Sequence, residues 1–382
     1  MLSTKFLFLR VCACASAAAL LAVTGCGQFF PPLSSGGSGS GSSSGDYIYV
    51  GNLGTNPLSI AGFSIASAAV STISGSNWSV ELEPSALAVT PSNAYLYLGS
   101  AAGGIYVYTI GSDGALTIAN NGSPVATGIT PSVLRVDPTG TYLIGGSAFS
   151  GQAFVFQIGS GGSLTSISNS LVTLNASAPV TDLEISPSGN YVFASLGTAG
   201  IYEMSFSTTN GAMAQINGVL NPKVNNAADQ GLAVAPSGSY LFAAETVTGG
   251  VRVFSIGTNG VLTEVSGSPY TTNTGAWSVL VDSTGSYVYV ANRTAGTVSA
   301  FLLSATGELT AISGSPFTTG SLPVALVEDK TKAYLAIVCS GGNPDLQVFT
   351  ISTTTPGALT SLTTEKTGSA SANQASSIAA TH

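Results

Sequence analysis

Residues 87–99 read LAVTPSNAYLYLG, an aliphatic strand, a turn of Pro, Ser and Asn, and a second apolar strand that begins at Tyr95. The same phrase recurs at 134–146 (LRVDPTGTYLIGG), 183–195 (LEISPSGNYVFAS), 232–244 (LAVAPSGSYLFAA) and 279–291 (VLVDSTGSYVYVA). Its tyrosine recurs at intervals of 47 to 49 residues, as Tyr47, Tyr95, Tyr142, Tyr191, Tyr240, Tyr287 and Tyr334. The spacing indicates seven copies of one unit.

Each copy has the sequence of four short strands. In the second copy we expect them at residues 87–90, 95–99, 105–110 and 116–120, with turns of Pro, Ser, Asn and Gly between them. A repeat of roughly 40 to 50 residues with four strands is typical of a propeller blade, because a single four-stranded sheet cannot bury both of its faces alone. The sequence therefore predicts an all-β fold, a seven-bladed β-propeller of four-stranded antiparallel blades.

The two ends of the repeat predict how the ring closes. The first tyrosine follows a turn but no strand, whereas residues 376–382 match residues 85–91. We expect the C-terminal strand to complete blade one, which covers an edge that would otherwise be open to aggregation. One position of the first strand is aliphatic in every copy and is predicted to form the core between blades: Leu87, Leu134, Leu183, Leu232, Val279, Leu326 and Ile378.

The N-terminus predicts export and a lipid anchor. Lys5 and Arg10 precede an apolar stretch over residues 11–23 that is too short to span a membrane, and Val-Thr-Gly-Cys ends at Cys26. Residues 1–25 are thus predicted to be a signal peptide whose end resembles a bacterial lipobox; the alternative is an ordinary secretory signal. Residues 26–45 would be the lipidated Cys26 and a Gly/Ser-rich tether, and residues 46–382 the propeller. We expect an extracytoplasmic protein, anchored in the bacterial cell envelope; Gly27 after the cysteine favours the outer membrane, facing the periplasm or the surface.

Composition excludes several functions. Charged residues make up 7% of the chain, against roughly a quarter in typical soluble proteins. Without residues 1–25 the chain keeps seven of its nine basic residues and all 17 acidic ones, a net charge of −10, so nucleic acid is not an expected partner. The one histidine is the terminal His382, which predicts no metal centre, no cofactor and no Ser-His-Asp triad. Cys339 is expected to be a buried, unreactive side chain.

A few charges fall on the predicted inner strands, which would surround the central channel: Arg135, Asp137, Asp182, Glu184 and Asp282. Arg135 and Glu184 occupy equivalent positions in neighbouring copies. A charge buried on such a strand needs a partner. We interpret Arg135 and Glu184 either as an ion pair between blades or as a polar channel lining that meets a ligand.

Several short motifs together carry a resemblance to a known family. They are YVYVAN at 287–292, DGALT at 113–117, GELT at 307–310, and GSP at 267–269 and 314–316. They resemble the lactonase-type seven-bladed propellers, a group that includes 6-phosphogluconolactonase, carboxymuconate-cyclizing enzymes and the YVTN surface repeats. The resemblance covers residues 46–382. It implies the propeller fold more strongly than an activity, because these residues form sheets and turns.

The resemblance also implies site residues. Enzymes of the family place a histidine and an arginine at the starts of successive inner strands, and a glutamate and a second arginine at the ends of the following second strands. The first two positions fall on Thr181 and Gln230, which do not match, and the last two on Glu245 and Arg293, which do. Glu245 would be a general base and Arg293 an anion clamp. The alternative is a salt bridge between neighbouring blades.

Three functions remain open. The first is a non-catalytic binding module for a protein, glycan or small molecule, with Arg135, Glu184, Thr181 and Gln230 as candidate ligand-binding residues. The second is a lactonase with a reduced site, using Glu245 and Arg293. The third is an adhesive or structural surface protein. The missing histidine, the low charge and the anchor favour the first.

Overall fold

The computed structural model describes residues 45–53, 58–174, 178–216, 228–247, 250–342, 344–368 and 375–382. The predicted signal peptide, Cys26 and the tether up to residue 44 lie outside these residues, so they stay predictions. Within the described ranges, no helix has the length and hydropathy of a membrane span.

Strands in the described ranges form seven antiparallel sheets, one for each copy of the repeat, which confirms the seven-bladed propeller. Blades are numbered here by the order of their tyrosines. The first strands, which pack side by side around the channel, are Ala375–Ala380 (blade 1), Pro84–Val89, Pro131–Val136, Asp182–Ile185, Asp229–Val234, Ala276–Val281 and Pro323–Glu328 (blade 7). The second strands are Tyr47–Asn52, Tyr95–Ser100, Tyr142–Ser147, Tyr191–Ser195, Tyr240–Glu245, Tyr287–Asn292 and Tyr334–Cys339.

The outer half of each blade is less regular in length. The third strands are Ser59–Ala66, Ile105–Ile110, Gln152–Ile158, Ile201–Phe206, Gly250–Ile256, Thr297–Leu303 and Leu346–Ile351. The fourth strands are Ala69–Thr72, Leu116–Ile118, Leu164–Thr173, Met213–Gln215, Leu262–Glu264, Leu309–Ala311 and Leu359–Glu365. Three two-residue strands also pair with the third strands of blades 1, 5 and 6: Trp78–Ser79, Tyr270–Thr271 and Phe317–Thr318. Two short 3-10 turns are Asn120–Gly122 and Ser160–Gly162.

The four predicted strands of blade 2 are present, and their bounds differ from the prediction at four ends. Its first strand begins at Pro84, three residues earlier than expected, and its fourth ends at Ile118. Proline is tolerated at the start of a strand, where its missing N–H removes no central ladder bond. The fourth strand gives way to the 3-10 turn at Asn120–Gly122, whose central residue Asn121 has a positive φ of 52°.

The C-terminal strand closes the ring as predicted. Ala375–Ala380 pairs antiparallel with Tyr47–Asn52, and Val50 lies opposite Ile378. Thr381 extends the junction, because its hydroxyl accepts a 2.9 Å hydrogen bond from the backbone N–H of Tyr47 and its own N–H bonds to the Tyr47 carbonyl. Blade 1 is therefore built from both ends of the propeller sequence.

The hydrophobic core lies between blades. Seven apolar clusters occur among the described residues, and each combines side chains of two neighbouring blades. Each cluster contains one member of the aliphatic column predicted from the first strands, so that prediction is confirmed. Burial is thus shared by adjacent sheets, as a ring of blades requires.

Six of the seven repeated tyrosines pack on a glycine in the outer turn of the next blade. The ring of Tyr47 packs on Gly114 in the outer turn of blade 2, where a Cβ atom would lie 2.7 Å from the ring and where φ is +81°. Only glycine suits both the turn and the contact. Six hydroxyl bonds to the outer turn of the following blade occur in the described residues: Tyr47–Ser112, Tyr49–Gly114, Tyr97–Gly162, Tyr191–Thr258, Tyr240–Ala305 and Tyr289–Gly357.

Candidate functional site

A central cavity of about 420 Å³ runs between the first strands and is lined by residues of all seven blades. Arg135, Glu184, Thr181 and Gln230, the candidate ligand-binding residues, all line it. The structure therefore brings these four together at one place, whereas their role in binding stays a prediction.

One layer of this cavity comes from equivalent positions of the seven first strands. In four consecutive blades the side chain is a hydroxyl that bonds to a backbone carbonyl of the next blade. These four residues, here called the hydroxyl arc, bond as Ser376 to Pro84 at 3.0 Å, Ser85 to Pro131 at 2.6 Å, Ser132 to Val180 at 2.6 Å, and Thr181 to Asp229 at 3.2 Å.

The three remaining blades carry Gln230, Trp277 and Val324 at this position, here called the open arc. The described residues show no side-chain hydrogen bond from any of the three to the next blade. All three side chains are half-buried and face the cavity. At the open arc, the described residues therefore lack the hydrogen bond to the next blade, and larger side chains face the channel.

An ion cluster lies deeper on the wall formed by blades 3 and 4. Arg135 bonds to Glu184 through Nε and to Asp182 through Nη2, each at 2.9 Å. The predicted ion pair between blades is therefore present, and Asp182 extends it by accepting a 2.9 Å bond from the N–H of Leu232 in blade 5. The pair joins two blades and also lines the cavity, while its contact with a ligand stays a prediction.

Burial and the neighbouring charges shift the pKa values of the side chains in this cluster. Burial raises the pKa of Asp182 and of Glu184, although Arg135 opposes the shift in each case. Burial acts to lower the pKa of Arg135, but Glu184 and Asp182 outweigh it and leave the pKa raised. Arg135 thus stays charged and holds two carboxyl groups in the wall.

Two of the charges expected on the channel wall serve the turns instead. Asp137 and Asp282 follow their strands by one residue and are almost fully buried. The Oδ1 atoms of both accept bonds from two backbone N–H groups at the start of the second strand, including 2.6 Å bonds from Tyr142 and Tyr287. Asp137 and Asp282 were predicted to lie on the first strands, which was wrong by one residue, because each carboxylate caps the tight turn that follows and satisfies the local backbone.

Arg293 follows the second strand of blade 6 and lines a separate cavity of about 340 Å³ with Trp277 and Val324. Because Trp277 and Val324 line both cavities, this second cavity adjoins the open arc. The guanidinium of Arg293 lies over the Trp277 ring, with 4.7 Å from Cζ to the ring centroid. Its Nε is buried without an acceptor, and no carboxylate of the described residues pairs with it. Arg293 therefore retains the capacity to bind an anion.

Glu245 lies in different surroundings at the end of the second strand of blade 5. It is 1% exposed, and its Oε1 accepts 2.9 Å bonds from the N–H groups of Ala228 and Val247. The ion pairs formed by the described residues do not include one between Glu245 and Arg293. The alternative of a salt bridge between these two residues was therefore wrong, while their catalytic role stays a prediction.

The sequence analysis missed two features. Trp277 is one of two tryptophans in the chain, and aligning the repeats shows it where four copies have Ser or Thr. Blade 5 also contains a partly buried ion triad, in which Arg252 pairs with Asp229 at 3.0 Å and with Glu264 at 2.9 Å. Nothing in the repeat pattern indicates the triad, because its arginine is on a third strand.

Cys339 is buried as expected, while its low reactivity stays a prediction. Cys339 is fully buried, and burial raises the pKa of its thiol to about 12. A thiol that stays protonated at neutral pH is a poor nucleophile.

Comparisons with known proteins agree with this architecture. A family model described as "Lactonase, 7-bladed beta-propeller" matches residues 48–373. No curated protein sequence matches the chain. Among solved structures, a proposed 6-phosphogluconolactonase from Bacteroides fragilis is similar with a TM-score of 0.73 at 18% identity, over 91% of this chain and 100% of the other. A periplasmic gluconolactonase from Pseudomonas aeruginosa has a TM-score of 0.70 at 17% identity, over 88% and 99%. A protein from Lactobacillus plantarum has a TM-score of 0.70 at 19% identity, over 88% and 100%.

Proposed function

The chain belongs to the lactonase family of seven-bladed β-propellers, and from this premise we propose that it is an extracytoplasmic binding module. Its ligand is a small molecule with a carboxylate and several hydroxyl groups, held at the open arc of the central channel. Arg293 binds the carboxylate, and the hydroxyl groups meet the polar wall of the channel.

The observation that carries this proposal is the state of Arg293. Arg293 is half-buried beside a cavity, and among the described residues its guanidinium has no ion-pair partner and its buried Nε has no acceptor. A carboxylate supplies that partner with two oxygens in the geometry of the guanidinium fork. Stacking on Trp277 leaves the edge of the guanidinium available for those hydrogen bonds.

The central channel supports the second half of the ligand. The cavity of about 420 Å³ adjoins the Arg293 cavity and contains Gln230 on the near wall and the Arg135–Glu184 pair deeper inside. This volume lies within the range of small-molecule sites. Gln230 and the carboxylate of Glu184 offer hydrogen-bonding groups to a polyol, so a sugar acid fits the combination better than a simple fatty acid.

The proposed location comes from the N-terminal sequence. Lys5, Arg10 and the apolar residues 11–23 have the pattern of an export signal, and Cys26 is placed for lipid attachment. The similar gluconolactonase from Pseudomonas aeruginosa is periplasmic. We place the propeller outside the cytoplasm, joined to the membrane by Cys26 and the following tether.

Lactone hydrolysis is the second candidate, because both Glu245 and Arg293 match the positions implied by the family. Two observations weigh against it. Thr181 stands where the family enzymes have a histidine, and the threonine hydroxyl already bonds to Ser195 Oγ at 2.9 Å. The buried Oε1 of Glu245 is occupied by two backbone N–H groups. Hydrolysis needs a proton carrier that reaches the reacting atoms.

Calorimetric titration of the protein without its first 26 residues tests binding. Gluconate and other sugar acids should bind, whereas glucitol, the neutral polyol of the same length as gluconate, should bind more weakly. Arg293→Gln should reduce affinity for gluconate about 10- to 100-fold, as expected for a hydrogen-bonded charge pair. If Arg293→Gln binds the acids as tightly as the parent, the proposed site is wrong.

Turnover separates the two candidates. The same protein is offered the corresponding lactones, and ring opening is followed by acid release at constant pH. Binding without turnover above the uncatalysed rate supports the binding module. Turnover that Glu245→Gln abolishes, while gluconate affinity is unchanged, would establish the hydrolase instead.

A further inference from the structure

The junction between blade 7 and blade 1 brings two carboxyl groups together. Asp46 precedes the second strand of blade 1, beside the strand that closes the ring. Asp329 follows the first strand of blade 7 and begins the turn to Tyr334. The side chain of Asp329 lies within hydrogen-bonding reach of Asp46. This pair is here called the seam pair.

The turn of blade 7 holds Asp329 as a hydrogen-bond acceptor. Oδ1 accepts bonds from the N–H groups of Ala333 at 2.8 Å and Tyr334 at 2.6 Å. Oδ2 accepts bonds from the N–H of Thr331 at 2.8 Å and from the Thr331 hydroxyl. Four donors to two oxygens require the ionised carboxylate. The equivalent turn in blade 3 has the same arrangement around Asp137.

Asp46, in contrast, has few hydrogen-bond donors around its carboxyl group. Its Oδ2 is buried and receives no hydrogen bond from the described residues, and its Oδ1 receives only a long bond of 3.4 Å from the N–H of Lys330. A buried carboxylate oxygen without a donor, facing a second carboxylate, is unfavourable in the charged form. A proton on Asp46 removes the charge and supplies the donor that bonds to Asp329.

We infer that the seam pair shares one proton, carried by Asp46, and that the junction between blades 7 and 1 weakens when this proton is lost. The position of Asp46 is taken by Asn190 in the blade after Asp137 and by Ala333 in the blade after Asp282, so the device is specific to the place where the two ends of the propeller sequence meet. The inference does not depend on the ligand proposed above.

The surrounding charges set the direction of the effect. Burial, then the hydrogen bond to Asp329 and its charge, raise the pKa of Asp46 to about 7, and Lys330 acts against the shift. Glu328 lies near Asp329, and His382 lies near Lys330 on the other side of the junction. Because the folded pKa exceeds the ordinary value of 3.8, the folded state binds more protons between these values. Stability is then fully present below about pH 4 and is lost as pH rises through about 7.

Carboxyl ¹³C NMR of the full chain with labelled aspartate measures the proton directly, and Asp46→Asn identifies the signal. The Asp46 carboxyl should titrate with a midpoint near pH 7. A midpoint below about pH 5 would show that Asp46 is ionised at neutral pH, and would overturn the inference.

Thermal unfolding of the full chain at pH 5 and pH 8 measures the consequence. The Tm of the parent should fall by about 3 °C more than that of Asp46→Asn over this interval, because the amide keeps a donor to Asp329 at every pH. Equal slopes would contradict the inference. Asp329→Asn and Asp137→Asn form a matched pair, since both remove a turn carboxylate. Only Asp329→Asn should flatten the pH dependence; if both flatten it, or neither does, the seam pair is not the cause.

Discussion

The hydroxyl arc and the open arc occupy equivalent positions in one ring, yet their side chains do different things. Each residue of the hydroxyl arc donates a hydrogen bond to a backbone carbonyl of the next blade: Ser376, Ser85, Ser132 and Thr181. Among the described residues, the open arc gives no such bond, and the guanidinium of Arg293 that it adjoins has no ion-pair partner. The repeat thus maintains the scaffold, while its departures lie where we propose that the ligand binds. Four predictions test this division.

The largest effect is expected from deleting residues 376–382. The deletion removes most of the closing strand, the Ser376 bond and the core contribution of Ile378 at the junction. An unpaired strand edge and an open interface remain. We expect no cooperative unfolding transition by circular dichroism or calorimetry. A truncated protein that melts at the same temperature as the parent would show that the ring does not need this strand.

Removing Arg135 should produce the next largest effect. Arg135→Met leaves Asp182 and Glu184 without a counter-ion in the wall of blades 3 and 4. Because 34% of the arginine side chain is exposed to the channel, we expect a loss of about 2–3 kcal/mol at pH 8 rather than the larger cost of a fully buried pair.

The environment of the two carboxyl groups also determines how the stability loss of Arg135→Met changes with pH. Burial already raises the pKa of both carboxyl groups, and loss of the cation raises each pKa further. Protonation at pH 5 then relieves the repulsion, so the loss of stability should be smaller at pH 5 than at pH 8. Urea unfolding at the two pH values measures it, and an equal loss at both would contradict the account of the ion cluster.

A single bond of the hydroxyl arc should have a smaller effect. Ser132→Ala removes the 2.6 Å bond to the Val180 carbonyl and leaves the backbone of both strands unchanged. We expect the free energy of unfolding to fall by about 1–2 kcal/mol. A change below about 0.3 kcal/mol by urea unfolding would mean that the arc does not hold the blades together.

The smallest change is expected from adding a hydroxyl to the open arc. Val324→Ser places a hydroxyl where the neighbouring Ser376 has one, and the carbonyl at the equivalent acceptor position is that of Ala375. The gained bond and the lost apolar surface should nearly cancel, within about 0.5 kcal/mol. A loss above about 2 kcal/mol would show that Val324 serves the core, which would narrow the open arc to Gln230 and Trp277.

The site was less predictable than the fold. Equivalent repeat positions correctly predicted the ion pair between Arg135 and Glu184. The repeat did not predict where the side chains of Asp137 and Asp282 point, and both bond to the backbone of their own turns. Matching Glu245 and Arg293 to the family suggested a common location. In the structure one accepts backbone bonds and the other stacks on Trp277, and a side-chain direction of this kind depends on neighbours from other blades.

Sequence alone determined the number of blades, the closing strand and the column of aliphatic residues between blades, because each follows from local strand patterns repeated at a constant interval. Tertiary structure decided which charges find partners. The proton of the seam pair and the free guanidinium of Arg293 both depend on how many donors and acceptors lie within about 3 Å. Such distances are fixed only when distant blades pack, whereas strand periodicity is already present in each segment.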